Sequence, residues 1–199
     1  EHFLPIIRHV RACFPFLWMG VNFLAVTGLK AFPELGTLGR NGCQVDAYWA
    51  DDARIDERAD STAQVEASAI AAARKESGWA RMYFGGTAFK KQLDAAPADY
   101  LACATQAIPC MDVVTTSGVA TGQSADLNKI AVFRQACTDS PLAIASGITP
   151  DNVGQYANHT DAFLVATGIS DPGEFHNLSR DRLERLLATT RQSGGQHGK

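Results

Sequence analysis

The chain has no surplus of charge of either sign. Its 199 residues include 18 Lys and Arg against 21 Asp and Glu, a net charge of −3. A basic footprint for nucleic acid is therefore absent. There is no unbroken apolar run of the roughly 18 residues a spanning helix needs, which excludes membrane insertion. The five cysteines, Cys13, Cys43, Cys103, Cys110 and Cys137, are odd in number and contain no CxxC pair. A disulfide framework and a zinc ribbon are excluded, and reduced, mostly buried thiols are expected. His2, His9, His159, His176 and His197 are scattered, without metal-ligand spacing, so no transition-metal site is expected. Neither a Walker A motif nor a Gly-x-Ser-x-Gly elbow occurs. The opening Glu1-His2-Phe3-Leu4-Pro5 lacks the regions of a signal peptide, so the expected location is cytoplasmic. It also lacks Met, which suggests a processed, trimmed or excised chain.

What is present is alternation. Six short apolar runs recur at 16–22, 43–51, 80–86, 111–118, 141–147 and 161–168. The later ones are nearly continuous, as in parallel strands buried on both faces. Helical stretches separate them. Phe3, Ile6, Ile7 and Val10 share one face of an opening helix. Ser61-Thr62-Ala63-Gln64 has the form of a capping box, and Gly78 ends the Ala-rich stretch that follows. Ser124 is positioned to begin another helix. Thr149-Pro150 reads as a helix start, and Leu183, Leu186 and Leu187 form the apolar face of the last helix. Strand–helix alternation gives an α/β fold of TIM-barrel type. Six strands fall short of eight, so the first two β/α units of a complete barrel are expected to be lacking. The expected organisation is one partial barrel domain over 1–192 and a disordered tail over 193–199.

In such folds the ligand lies at the carboxyl ends of the strands. Ser146-Gly147 and Thr167-Gly168 each put glycine beside a hydroxyl at a strand end. They are the candidate phosphate-binding residues, because glycine lets backbone N–H groups approach an anion and a helix start adds positive charge. Tight-turn chemistry alone is the competing explanation. Thr116, Ser117, Gly118, Thr121 and Gly122 form a further corner that could add donors. Asp51 and Asp52 end the second run and are the acid/base candidates; adjacent residues at a strand end point apart, so one is expected to face the site. Either could also hold Mg²⁺. Lys90 would neutralise developing charge, and Asn22 would orient the ligand. Asp46 and Asp112, early in their strands, are expected to be structural.

These residues resemble the BtpA family, which is related to the ribulose-phosphate-binding barrels. The similarity rests on Thr115-Thr116-Ser117-Gly118 with Thr121-Gly122, on Ser146-Gly147-Ile148-Thr149-Pro150-Asp151-Asn152-Val153, on Asp161-Ala162-Phe163-Leu164-Val165-Ala166-Thr167-Gly168, and on Gly20-Val21-Asn22. Phe84-Gly85-Gly86 stands where the family pattern has an Asp. The resemblance implies a TIM barrel with a phosphate corner and leaves the reaction open, since members are linked to photosystem I biogenesis and to sugar-metabolism gene clusters.

The expected function is thus an enzyme of isomerase or lyase type acting on a phosphorylated small molecule, a sugar phosphate or phosphoribosyl compound. The alternatives are a non-catalytic assembly or regulatory factor and an FMN-dependent oxidoreductase. An unpaired sheet edge would further favour a homo-oligomer.

Overall fold

The computed structural model describes residues 3–60, 62–89 and 95–194. Helix α1 (Phe3–Cys13) leads to β1 (Gly20–Asn22), α2 (Gly28–Arg40), β2 (Ala47–Ala50), α3 (Val65–Ser77), β3 (Met82–Gly86) and α4 (Tyr100–Ala107). Then come β4 (Val113–Ser117), α5 (Leu127–Ala136), β5 (Leu142–Ala145), α6 (Val153–Tyr156) and β6 (Ala162–Leu164). A small antiparallel pair, β7 (Ser170–Asp171) and β8 (Glu174–Leu178), precedes α7 (Arg180–Gly194). The six expected runs are β1 to β6. They pair in parallel in sequence order, with β1 and β6 at the two edges. The fold is an α/β, TIM-barrel-like curled sheet, left open where a complete barrel would close.

Side-chain alternation divides the sheet into two faces. Tyr48, Ala50, Tyr83, Val114 and Leu142 pack against Phe32 and Leu35 of α2 and Ile70 of α3 in the main core. Tyr48 and Tyr83 lie stacked, and Phe32 meets both edge-on. The opposite, barrel-interior face carries Ala47, Phe84, Val113 and Ala143, with Trp49 and Leu164 partly buried beside them. Pairing register arranges these interior residues in rows: Asn22–Trp49–Phe84–Val113, then Gly86–Thr115–Ala143–Ala162.

The amino ends of the strands are held by one device used three times. Asp46 accepts hydrogen bonds from the Met19 N–H (2.9 Å) and from Arg11 of α1 (2.8 Å). Asp112 accepts from the Tyr83 N–H (2.7 Å) and from Arg74 of α3 (2.5 Å). Asp161 accepts from the Leu142 N–H (2.8 Å) and from Arg134 of α5 (2.7 Å). Each arginine also donates to the carbonyl two residues before that N–H: Leu17, Arg81 or Ser140. Every clamp thus ties a helix, the odd-numbered strand after it and the even-numbered strand beside that. Charged hydrogen bonds of this kind are the stronger ones.

Several local expectations change. Helix α3 begins at Val65, so Gln64 is its N-cap residue. Its buried amide turns back instead to the preceding loop, accepting from Asp56 N–H and donating to the Asp56 and Ala59 carbonyls; Ser61 lies outside the described residues. Asp126, not Ser124, caps α5, accepting from the Asn128 N–H. Residues 149–152 make a turn before α6, whose N-cap is Asn152. On α1 only Ile7 is buried, while Phe3 and Ile6 face outwards; on α7 Leu186 docks and Leu187 stays exposed. Helix α7 continues to Gly194, into the segment expected to be disordered. All five cysteines are free, and Cys43, Cys103 and Cys137 are buried. Burial pushes the Cys103 and Cys137 thiols up to about 11, which keeps them protonated and unreactive.

Burial by itself would raise the Asp46 carboxyl, but the Met19 N–H and the Arg11 guanidinium outweigh it and hold the group below its ordinary range. A carboxyl depressed on folding contributes stability above its unfolded value, near 3.9, and loses it as the pH falls through the folded value. Asp46→Asn should therefore cost about 1–3 kcal/mol at neutral pH and progressively less as the pH falls below the carboxyl's unfolded value, measured by urea unfolding across pH. An equal cost at neutral and acid pH would contradict the clamp.

Candidate functional site

The carboxyl end of the sheet is built differently from the amino end. Among the described residues four non-glycines have positive φ: Ala25 (59°), Arg54 (60°), Ala88 (46°) and Ser146 (76°). All four lie in loops that leave the carboxyl ends of strands, after β1, β2, β3 and β5. Left-handed backbone at non-glycine residues costs on the order of 1 kcal/mol each and collects at functional loops.

Asp51 follows Ala50 and alternates onto the interior face. Asn22, at the end of β1, donates through Nδ2 to Asp51 Oδ1 (3.1 Å) and to the Trp49 carbonyl (3.0 Å). The two candidates thus meet, Asn22 orienting the carboxylate rather than standing apart from it. Asp52 turns away. Its carboxylate accepts from the Arg54 N–H (2.8 Å) and pairs with Arg54 Nε at 3.2 Å. It lines a separate pocket of about 430 Å³ with Arg54, Asp56 and Arg58. The two carboxylates thus have different partners, Asn22 for Asp51 and Arg54 for Asp52. No group of three His, Cys, Asp or Glu side chains among the described residues is arranged to hold a metal ion.

Gly86 explains the missing acidic residue on β3. A Cβ there would stand 2.0 Å from the Asp51 carbonyl. The backbone carrying Asp51 occupies the space a side chain on β3 would need.

Two interior polar atoms beside Asp51 went unrecognised in the sequence. Asn22 Oδ1 and Trp49 Nε1 are buried and have no hydrogen-bond partner among the described residues. Phe89 packs edge-on against the Trp49 ring. A Trp in an apolar strand gives no signal of an unmet donor, and only the register shows that it neighbours Asn22. Lys129 was also missed. Its buried ammonium donates to the Ala88 carbonyl (2.6 Å) and the Ser117 carbonyl (2.8 Å), joining the loop after β3 to the end of β4. Lys90 lies outside the described residues.

The phosphate candidates fall into one loop cluster. Ser146 and Gly147 are consecutive left-handed residues, at 76° and 71°. Ser146 Oγ accepts from the Gly122 N–H (3.2 Å), and Ser124 Oγ donates to the Gly147 carbonyl (3.2 Å). Asn152 locks the arrangement by donating to the Gly147 carbonyl (2.8 Å) and Ser124 Oγ (2.9 Å) while accepting from the Thr149 N–H (2.8 Å). The Ser117–Gly122 corner therefore lies against the Ser146–Gly147 corner. Ser117, with its side chain bonded to the Gly118 carbonyl, is buried; Thr121 and Gly122 are exposed. Thr116 faces the helices, not the interior, and its hydroxyl meets the Ala88 carbonyl (3.4 Å). Thr115 takes the inward position. Gly168 packs so closely that a Cβ would lie 1.8 Å from the Ile148 carbonyl.

The expected helix starts are weak here. Helix α6 has four residues, and Thr167–Ile169 is a single 3-10 turn leading into β7 rather than a helix. What the cluster offers an anion is backbone: the N–H groups of Gly147, Ile148, Thr167 and Gly168 have no hydrogen-bond partner among the described residues.

No family model matches the chain. An uncharacterized protein of Thermococcus kodakarensis is 30% identical over 82 residues, which is 41% of this chain and 31% of that protein. The match thus spans about a third of the relative's length. Among solved structures, phosphoribosyl anthranilate isomerase from Thermus thermophilus superposes with a TM-score of 0.59 at 13% identity, covering 94% of this chain and 78% of that one. The phosphoribosyl anthranilate isomerase from Thermococcus kodakaraensis gives 0.55 at 14% identity and covers 94% of both chains. A native KDPGal structure gives 0.58 at 12% identity, covering 94% and 75%. At these identities the likeness is one of fold.

The close packing makes a structural prediction. Gly168→Ala should lower stability by more than about 2 kcal/mol in the absence of any ligand, because backbone must move to admit the methyl group. Chemical denaturation measures it; a loss below about 0.5 kcal/mol would mean the corner is looser than described.

Proposed function

We propose that the chain is a phosphate-binding enzyme acting on a phosphorylated small molecule, with Asp51 as the acid/base group. The observation that carries this is the pairing of Asp51 with Asn22 on the interior face, at the sheet end that also bears the four partnerless N–H groups. Strands β2 and β5 are three spacings apart, about 14 Å along the curled sheet and less across its mouth. That span suits a pentose phosphate carrying a substituent: phosphate at Ser146, Gly147, Thr167 and Gly168, reacting atoms at Asp51. The fold neighbours named as phosphoribosyl anthranilate isomerases support a phosphoribosyl-type ligand. The BtpA-like motifs support the same phosphate corner, and a purely structural, assembly-factor role would leave the Asn22–Asp51 pair without a task.

In this reading the phosphate anchors the ligand through backbone N–H groups, which bind it without a full counter-charge. Asn22 fixes one carboxylate oxygen of Asp51 and so aims the group. Asp51 takes a proton from the ligand and returns it at a neighbouring atom, an isomerisation that needs no redox partner. Asn22 Oδ1 and Trp49 Nε1 supply an acceptor and a donor for a polar group of the ligand, once Phe89 gives way.

Thermal shifts with inorganic phosphate, ribose 5-phosphate and ribulose 5-phosphate test the anchor. Ligand at about 100 times its dissociation constant should add about 2.7 kcal/mol. Ser146→Gly suits the left-handed backbone and should keep the fold while weakening the phosphate shift. Asp51→Asn should keep the shift and lower turnover by about 10²–10⁴-fold. No shift with any of the three compounds would reject the proposal.

A further inference from the structure

The loop that leaves β3, in the middle of the sheet, turns into the barrel interior, and a lysine from the helix layer holds it there. The Thr87 N–H donates to the Thr115 carbonyl (2.9 Å), which carries the β3–β4 pairing one step past the strand. Ala88 then turns the chain with left-handed backbone, at φ 46°. Its carbonyl accepts from Lys129 Nζ of α5 (2.6 Å) and from Thr116 Oγ1 (3.4 Å). The same ammonium donates to the Ser117 carbonyl (2.8 Å) and lies over the Tyr100 and Phe133 rings, 5.2 and 5.9 Å from their centroids. Lys129 is only 7% exposed, so these contacts stand in for the water an ammonium ordinarily keeps. An alanine in left-handed backbone persists only where its surroundings hold it, and Lys129 supplies that hold.

Phe89 comes next in the chain. It is 2% exposed, and its ring meets Trp49 edge-on with the centroids 5.8 Å apart. Trp49 and Asp51 alternate onto the same interior face of the sheet, so the Phe89 ring sits one step deeper than Asp51. Trp49 Nε1 is buried there without a hydrogen-bond partner among the described residues. A phenyl ring has no lone pair to offer that donor, whereas a ligand oxygen has.

We propose that Phe89 is a plug in the interior site and that Lys129 is the positioning residue that keeps it in place. A phosphorylated, hydroxyl-bearing ligand that reaches Asp51 displaces the ring, and one of its oxygens accepts from Trp49 Nε1 instead. This rests on the reading of the interior face as the site of a phosphorylated ligand. Ring and ligand exclude one another, so apparent affinity is lowered by the fraction of time the ring is in. Removing the plug, or the lysine that holds it, therefore tightens binding, which loss of a merely structural residue does not. Inorganic phosphate has nothing to extend towards Trp49, so its binding at the Ser146–Gly147 corner is indifferent to the plug.

The intact chain, Phe89→Ala and Lys129→Met, each shown to be folded by circular dichroism, give two readings; Lys129→Gln serves where Lys129→Met does not fold. Without ligand, NMR follows exchange of the Trp49 indole N–H with water, assigned by its loss in Trp49→Phe. Exchange should be about 10-fold or more faster in both variants, as the covered state gives way to the open one. With ligand, calorimetric titration should show ribulose 5-phosphate binding both variants about 10-fold or more tighter, since an open minor state is populated at about 0.1–10%. Inorganic phosphate should bind all three forms equally. Faster exchange in Phe89→Ala alone would overturn the role of Lys129. Unchanged exchange in Phe89→Ala would overturn the plug, as would ribulose 5-phosphate bound no more tightly by the variants than by the wild type. Exchange that quickens in both variants, in a protein that binds neither compound in any form, would reject the phosphosugar reading while upholding the hold of Lys129 on Phe89.

Discussion

The structure hangs on a carboxylate shared between a backbone N–H and an arginine. Three such carboxylates, Asp46, Asp112 and Asp161, stand at the amino ends of β2, β4 and β6. Each satisfies the N–H at the start of the neighbouring strand and anchors the guanidinium of the helix before it. That fixes where strand pairs begin, and register then follows along the whole sheet, since a slip of one residue would turn Trp49 and Asp51 towards the helices. The geometry of the opposite end depends on this. Asn22 reaches Asp51 only because Gly20 pairs with Ala47 at the clamped end.

The two ends divide the labour. Regular, charge-anchored structure lies at the amino ends. The carboxyl ends carry the left-handed residues, the glycines pressed against carbonyls and the N–H groups that have no partner among the described residues. Asn152 and Lys129 hold these irregular loops to one another, which allows strained backbone to persist without spreading into the strands.

Much of this was legible in the sequence because it is written in apolar periodicity. The near-continuous runs Val113-Val114 and Leu142-Ala143-Ile144-Ala145 could be little else than buried parallel strands, and all six runs became strands. The structural role of Asp46 and Asp112 was legible from their place early in the apolar runs, at the end of the sheet away from the ligand. Capping was misjudged where polar side chains had better partners in tertiary structure: Gln64 clamps a loop and Asn152 ties two loops together. The run Thr115-Thr116-Ser117 does not reveal which member faces inwards; strand alternation turns Thr115 and Ser117 inwards and Thr116 towards the helices. Trp49 and Lys129 were invisible for a related reason. Their polar atoms matter through neighbours far away in sequence, and neither residue type signals this by itself.

The clamps are also short in sequence. The carboxylates of Asp46, Asp112 and Asp161 lie 27, 29 and 19 residues from the N–H groups they accept from. Each can close as soon as its own pair of strands exists, without waiting for later parts of the chain. The sheet is thus held by three successive closures, each of which needs only one pair of strands and the helix before them.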